Sequence, residues 1–193
     1  MIKIAFIDVQ NTETTALKWL RFSIDWQKLT IFLKHEWGCE RVYYYLGIQE
    51  GDTRRSEEFN ALTAIGAIVR PKFYFVHKIS DKVVSTVCPL CTEKIVIKVG
   101  MGYSWKCNCD VELTSDVLEE AGMGTELLLF TGDGDFQFLI EKALNKKSTL
   151  SIVSTSKPRM VGGKNEYRLS KKLKKMNKIR ILELDNLKKK IEI

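Results

Sequence analysis

Short apolar runs and segments of helical period take turns along this chain, and that alternation narrows the fold before any single residue is considered. IKIAFID (2–8) is an apolar run closed by an aspartate, the pattern of a buried strand. Residues 25–37 follow as a helix, with Ile24, Leu29, Phe32 and Leu33 at helical spacing and Asp25 placed to cap it. ERVYYYLG (40–47) reads as a second strand rich in tyrosine, and residues 53–65 as a helix stopped by Gly66. AIVRPKFYFVHK (67–78) is a third strand region, where Pro71 implies a late start or an edge position. Further on, residues 110–121 place Leu113, Val117, Leu118 and Ala121 on one helical face. ELLLFT (126–131), TLSIVST (149–155) and KIRILEL (178–184) are strands, DFQFLIEKALNKK (135–147) is a helix, and DNLKKKIEI (185–193) is a terminal helical turn or two. Strands separated by helices argue for an α/β protein with a mostly parallel sheet covered on both faces.

The 193 residues suffice for one domain with a full core, or one domain carrying a small insert. No apolar run approaches the roughly 20 residues of a bilayer span, and MIKIAFID lacks the length and cleavage site of a secretory signal. The expectation is a cytoplasmic, reducing setting without membrane attachment. The net charge of +7 is unevenly placed. Residues 1–156 carry 18 Lys and Arg against 20 Asp and Glu, whereas residues 157–193 carry 13 against 4. Such a basic segment attracts polyanions. Lys157, Arg159, Lys164, Arg168 and the KKLKK run with Lys171, Lys172, Lys174 and Lys175 are the candidate contacts to a nucleic-acid backbone, although a solvated lysine-rich face has the same composition. The glycine pair at 162–163 reads as a mobile loop within it.

Five cysteines are present, four of them as CPLC (Cys88, Cys91) and CNC (Cys107, Cys109) with fifteen residues between. The intervening TEKIVIKVGMGYSWK has Gly100 and Gly102 at its middle, as a hairpin between the two pairs would. Two cysteine pairs joined by a hairpin suit a structural Zn²⁺ site of zinc-ribbon type, with residues 78–109 as the insert; the one-residue gap in CNC departs from the usual spacing. An iron–sulfur centre uses the same ligands. Disulfides and a thioredoxin-type motif fit the setting less well. Cys39, alone beside a strand, reads as a small buried hydrophobe. Tyr103, Trp105 and Lys106 would then stand near the insert's tip, able to stack on bases or to pack on the domain, and the insert is open to a protein partner.

In a parallel sheet the strand C-termini share one edge, where ligands bind. Asp8 ends the first strand with Asn11 in the following loop, and Asp133 and Asp135 follow ELLLFT in the motif TGDGDF. Asp110 and Asp116 lie at the start and middle of the preceding helix, from which Asp116 reaches the edge only if that helix leans over it. Each aspartate alone reads as a helix cap or surface residue. Together they repel unless a cation sits among them, and an all-oxygen set selects hard ions such as Mg²⁺ or Mn²⁺. Ions held this way polarise phosphodiesters and activate water. Neither His35 nor His77 falls in a motif.

FIDVQN (6–11), CDVELTSDVLEEA (109–121) and TGDGDF (131–136) resemble, in order and spacing, the three signature blocks of the NYN domain in its LabA-like branch of the PIN-like nuclease superfamily. The usual forms are similar to F-I-D-G-x-N, K-G-x-D-V-x-L-x-x-D and S-G-D-S-D-F. Val9 stands where glycine is usual, Thr131 where serine is, and K-C-N-C with the cysteine insert replaces K-G before Asp110. The resemblance spans essentially residues 1–193, with 157–193 completing the domain. It implies a Rossmann-like three-layer α/β/α sandwich and metal-dependent hydrolysis of RNA, single-stranded RNA in our reading. It assigns Asp8, Asp110, Asp116, Asp133 and Asp135 to the acidic site, with Asn11 assisting and Asp8, Asp116, Asp133 and Asp135 as the ion's ligands.

The reading is therefore a Mg²⁺- or Mn²⁺-dependent endoribonuclease. Its rival is an RNA- or protein-binding module of the same fold with a weak or silent acidic pocket. A phosphohydrolase of small esters is disfavoured, because Asp8 is followed by Val9, Gln10 and Asn11 and not by a D-x-D-x-T block. Oligomeric state is open, a homo-oligomer included.

Overall fold

The computed structural model describes residues 1–193, apart from the side chains of Trp105 and Lys106. The expectation that those two side chains serve the insert's tip lies outside the described residues. The chain runs β1 (Ile2–Asp8), α1 (Val9–Thr14) continuing as a π-helical turn (Thr15–Leu20), α2 (Trp26–His35), β2 (Arg41–Ile48), α3 (Thr53–Ala64) and β3 (Ile68–Phe73). Next come four short strands, β4 (Phe75–Lys78), β5 (Lys82–Val87), β6 (Lys94–Val99) and β7 (Tyr103–Lys106). The main fold resumes with α4 (Asp110–Glu120), β8 (Thr125–Phe130), α5 (Gln137–Asn145), β9 (Thr149–Ser154), the pair β10 (Pro158–Val161) and β11 (Lys164–Tyr167), α6 (Lys171–Lys174), β12 (Arg180–Glu183) and α7 (Lys188–Ile191).

Six strands form one sheet in the order β12-β9-β8-β1-β2-β3, every neighbour parallel. The chain first walks from β1 out to β3, then returns to the other flank of β1 and walks out to β12. The order therefore reverses between β1 and β8, whose register pairs Ile4 with Leu127 and Phe6 with Leu129. Alternation along the strands divides the core in two. Ala5, Ile7, Leu128 and Phe130 face the layer of α2, α3 and α7, while Ile4, Phe6, Leu127 and Leu129 face α4 and α5. Because both faces are covered, β8 is apolar without interruption from Leu127 to Phe130. Each such side chain contributes about 1.5–3 kcal/mol by leaving water. The structure is the α/β/α sandwich that the alternation of elements predicts.

Capping places the helices. Asp25 Oδ1 accepts from Lys28 N at 3.0 Å to start α2, as the sequence indicates, and Asp52 does the same for α3 with Arg55 N. Pro71 sits in β3, the sheet's edge strand, where a missing N–H costs no ladder bond. The third strand region splits: residues through Phe73 stay in the sheet, and β4 leaves it.

Three elements differ from expectation. VQNTETTALKWL has little helical period, yet it is helical because Asp8 caps it, Thr12 Oγ1 donates to Phe130 O at 3.0 Å and Ala16 is buried. The hairpin expected between the cysteine pairs does not form. Instead β5 pairs with β6 and β4 with β7, so Gly100 and Gly102 mark the bend between two ribbons, and Cys88 and Cys91 occupy the β5–β6 turn. The β-branched runs of β5 and β6 match each other, and Cys88 N closes the turn on Glu93 O at 2.8 Å. Finally, the glycine loop in the basic segment is the turn of a regular hairpin, β10 with β11, in which Gly162 and Gly163 both take positive φ (54° and 77°).

Candidate active site

The reversal between β1 and β8 leaves a crevice beyond their C-terminal ends, and the motif residues of both strands empty into it. Asp8 is the last residue of β1. Its Oδ1 accepts from Asn11 N at 3.0 Å, and Thr131 Oγ1 lies 3.5 Å from its Oδ2. Burial drives its pKa up to about 6 against the lowering effect of the Asn11 N–H; Asp110 and Asp133 add to the rise and Arg168 opposes it. A carboxylate so desolvated among like charges is a group that a cation would stabilise.

Asn11 ties the two strand ends together. Its Oδ1 accepts from Gly132 N at 3.0 Å, which fixes the TGDGD loop against the start of α1. Within the loop, Thr131 Oγ1 accepts from Asp133 N at 3.2 Å, and Asp133 Oδ1 from Asp135 N at 3.0 Å. Asp133 thus caps the short 3₁₀ turn Gly134–Phe136 while facing the crevice. The glycines provide clearance for the segment that follows β11. A Cβ on Gly132 would lie 2.6 Å from Arg168 O, and one on Gly134 would collide with Ser170 Oγ. Ser170 N completes that seam by donating to Gly132 O at 2.9 Å.

The resulting cavity, about 370 Å³, is lined by Asp8, Asn11, Asp110, Asp133 and Arg168. Asp110 opens α4, its N–H held by Asn108 Oδ1 at 2.7 Å, and burial raises its pKa. Asp135 sits on the outer shoulder, its side chain 84 % exposed, with Lys172 at 3.9 Å. Asp116 does not line the cavity. It accepts from Tyr45 Oη at 2.8 Å and Arg70 Nε at 3.0 Å, behind Tyr45, which itself reaches the wall. Six residues along a helix turn through about 600°, so Asp110 and Asp116 face different ways.

Arg168 has a place that its sequence position did not suggest. It donates through Nε to Thr15 Oγ1 at 3.0 Å and through Nη2 to Asn11 O at 3.3 Å, with its guanidinium 5.7 Å from the Trp19 ring. Neither Thr15 nor Trp19 carries a motif; only the fold brings them to the mouth. The other basic candidates spread outward. Lys157 pairs with Asp185, Arg159 donates to Lys18 O and covers Trp19, and Lys174 lies 4.6 Å over Tyr167. Lys164, Lys171 and Lys175 are exposed, and Lys172 and Lys175 line a second cavity beside α5.

The cysteines form two pairs. Cys107 Sγ and Cys109 Sγ are 3.8 Å apart on the wall of the acidic cavity, and burial pushes the Cys109 thiol up to about 12. Cys88 and Cys91 share the β5–β6 turn, where backbone hydrogen bonds lower the Cys88 thiol. Gly47 of β2 makes room for the returning chain: a Cβ there would lie 2.7 Å from Cys107 Cβ and from the Tyr74 ring. Among the described residues, no three His, Cys, Asp or Glu side chains stand close enough to grip an ion as placed. The donor chemistry still suits two different metals, oxygen from Asp8, Asp110 and Asp133 for a hard ion, thiolates from the cysteines for zinc. Cys39 is a core residue, 4 % exposed, as the sequence suggests.

Residues 3–166 match the NYN domain, and the chain belongs to that family, a class of generally nuclease-type proteins. It is 27 % identical over 114 residues to "Low amplitude and bright protein LabA" of Synechococcus elongatus, a match covering 59 % of this chain and 52 % of that protein. A solved structure from Vibrio parahaemolyticus, described as a protein of unknown function, VPA0982, superposes with a TM-score of 0.61 at 20 % identity. It covers 95 % of this chain and 94 % of its own, and it shares the fold. The chain spans about half the length of the curated relative it matches. Among the described residues no helix is long and apolar enough to cross a membrane.

Proposed function

We propose that this chain is a metal-dependent ribonuclease that hydrolyses single-stranded RNA internally, in the cytoplasm. The observation that carries the reading is the gathering of Asp8, Asp110 and Asp133 around one crevice at the β1/β8 reversal, with Asp8 buried enough to hold its proton up to about pH 6. These three would hold Mg²⁺ or Mn²⁺, with Asp135 approaching from the shoulder. Asp116 acts at one remove, by orienting Tyr45. The bound ion would supply Lewis-acid chemistry, polarising the phosphodiester and acidifying water.

The chain's own residues do the rest. Asp8 and Asp133 orient the attacking water and one of them receives its proton, while Thr131 steadies the Asp8 carboxylate and holds the Asp133 backbone N–H. Asn11 keeps the two strand ends at fixed separation. Lys164, Lys171, Lys172, Lys174 and Lys175 guide the RNA backbone, with Lys157 and Arg159 bracing the segment that bears them. The four cysteines would supply the thiolates for a structural Zn²⁺, and residues 78–109 would form a unit distinct from the nuclease core.

Incubation of the protein with labelled single-stranded RNA, in Mn²⁺ or in chelator, tests the reading. Cleavage should need the ion and disappear in Asp8→Asn and Asp133→Asn; cleavage that survives both substitutions would retire it. Elemental analysis should find about one zinc per chain, lost in Cys88→Ser, as a four-thiolate site requires.

A further inference from the structure

The acidic crevice contains a cation that is not spent on the acids. Arg168 is half-buried, and a guanidinium withdrawn from water ordinarily takes a carboxylate partner. Among the described residues, no carboxylate oxygen comes within 4.0 Å of it. Asp8 and Asp133 are near enough to favour its charge through space, which offsets part of the burial cost, yet neither touches it. Three other partners hold it back: Thr15 Oγ1, Asn11 O and the face of Trp19. These employ Nε and one Nη2 hydrogen. Of the five N–H groups on a guanidinium, the remaining three have no protein acceptor among the described residues.

The support around Arg168 is rigid. Its carbonyl packs where Gly132 has no side chain, Ser170 N is bonded to Gly132 O, and Arg159 from β10 covers Trp19 at 5.7 Å. The result is a fixed positive group facing a cavity whose far wall is negative. That layout fits an anion between two cations, the guanidinium on one side and a carboxylate-held ion on the other.

We propose that Arg168 anchors the phosphodiester to be cleaved, its free N–H groups donating to a non-bridging oxygen across the crevice from Asp8 and Asp133. The proposal rests on the ribonuclease reading and narrows it. The other basic residues follow the strand; Arg168 touches the reacting phosphate. Guanidinium is suited to the task because its fork matches the oxygens of phosphate and its charge does not titrate. The charge that builds on those oxygens during attack makes its contribution largest in the transition state.

The experiment uses the full chain and a fluorescent single-stranded oligoribonucleotide. Affinity is measured in Ca²⁺, single-turnover cleavage in Mn²⁺, and Mn²⁺ affinity by calorimetry. Arg168→Ala should bind the RNA about tenfold more weakly, the loss of roughly one charge-assisted hydrogen bond. It should cleave about 100-fold more slowly at saturating enzyme, a loss typical of a removed oxyanion donor. Added guanidinium should restore part of the rate, and Mn²⁺ affinity should stay within about twofold, since no metal ligand is lost. Arg168→Lys keeps the charge and serves if the alanine variant fails to fold; it should bind nearly as the parent does and cleave more slowly.

Cleavage and affinity in either folded variant equal to the parent's would overturn the anchor while leaving the nuclease intact. A parent that binds RNA through Arg168 but cuts nothing in Mn²⁺ would keep the anchor and remove the nuclease. A parent that neither binds nor cuts removes both.

Discussion

Two β structures in this molecule have opposite surroundings. In β8 every residue is buried, and helices cover the strand on both faces. In β5 and β6 every residue is exposed, including Val83, Val84, Ile95, Val96 and Ile97. Both segments are rich in residues that favour strands, so propensity does not separate them. Tertiary cover does. The sheet that bears the acidic crevice is stabilised by its own core, whereas a two-stranded ribbon with no core is marginal in water. The ribbon needs a cross-link or a cover, and its cysteines are the groups on it able to provide the first.

Core substitution should give the widest separation between the two. Leu129→Ala removes a fully buried side chain and should lower unfolding free energy in urea by about 2–5 kcal/mol. A loss below about 1 kcal/mol would mean the two regions differ less than their burial implies.

Next in size is the pH response of metal-free protein. Asp8 has its pKa raised by burial to about 6, above the 3.8 of a free aspartate. The folded state then holds the proton more tightly than the unfolded one. Stability from this group is complete below about pH 4 and is lost as pH climbs through 6. Asp8→Asn should therefore be more stable than the parent at pH 7, by something on the order of 2 kcal/mol, and equal to it near pH 4. Mn²⁺ should shrink or reverse the gap at pH 7. A parent whose melting point ignores pH between 4 and 7 contradicts the burial of Asp8.

Gly132→Ala drives a methyl group into Arg168 O and should cost about 1–3 kcal/mol, visible as a lower urea midpoint. It should also depress RNA cleavage, because the seam that carries Arg168 must shift. Ile97→Ala on the ribbon is the smallest change, within about 0.5 kcal/mol in the same assay. Hydrogen exchange sharpens the contrast: chelation of zinc should speed exchange in β5 and β6 and leave β1 and β8 as they were.

The parts of the molecule visible in the sequence are those governed by local pattern. Apolar runs located β1, β2, β8 and β9, Asp25 announced its helix, and Pro71 its edge strand. TGDGDF identified the crevice because the spacing of its acids after an apolar run is itself local. What stayed hidden depends on distant contacts. The helix at 9–20 is stabilised by a hydroxyl bond to Phe130 and the burial of Ala16, neither of which shows as period. Asp116 and Asp110 share a motif but not a helix face. Arg168 looked like one basic residue among thirteen, and only the docking of its segment against two glycines brings it beside Asp8. The ribbon pairing departs from the expected hairpin because glycines mark bends as readily as hairpin tips.

Gly47 shows how tightly the insert and the central sheet are fitted. The missing methyl group on the second strand is what lets Cys107 settle within reach of the acids. A relative that carries the cysteines and an aromatic residue at the position of Tyr74 should thus carry glycine at this place. An engineer wishing to graft the ribbon onto another member of the family must therefore alter the host strand as well as splice in the loop.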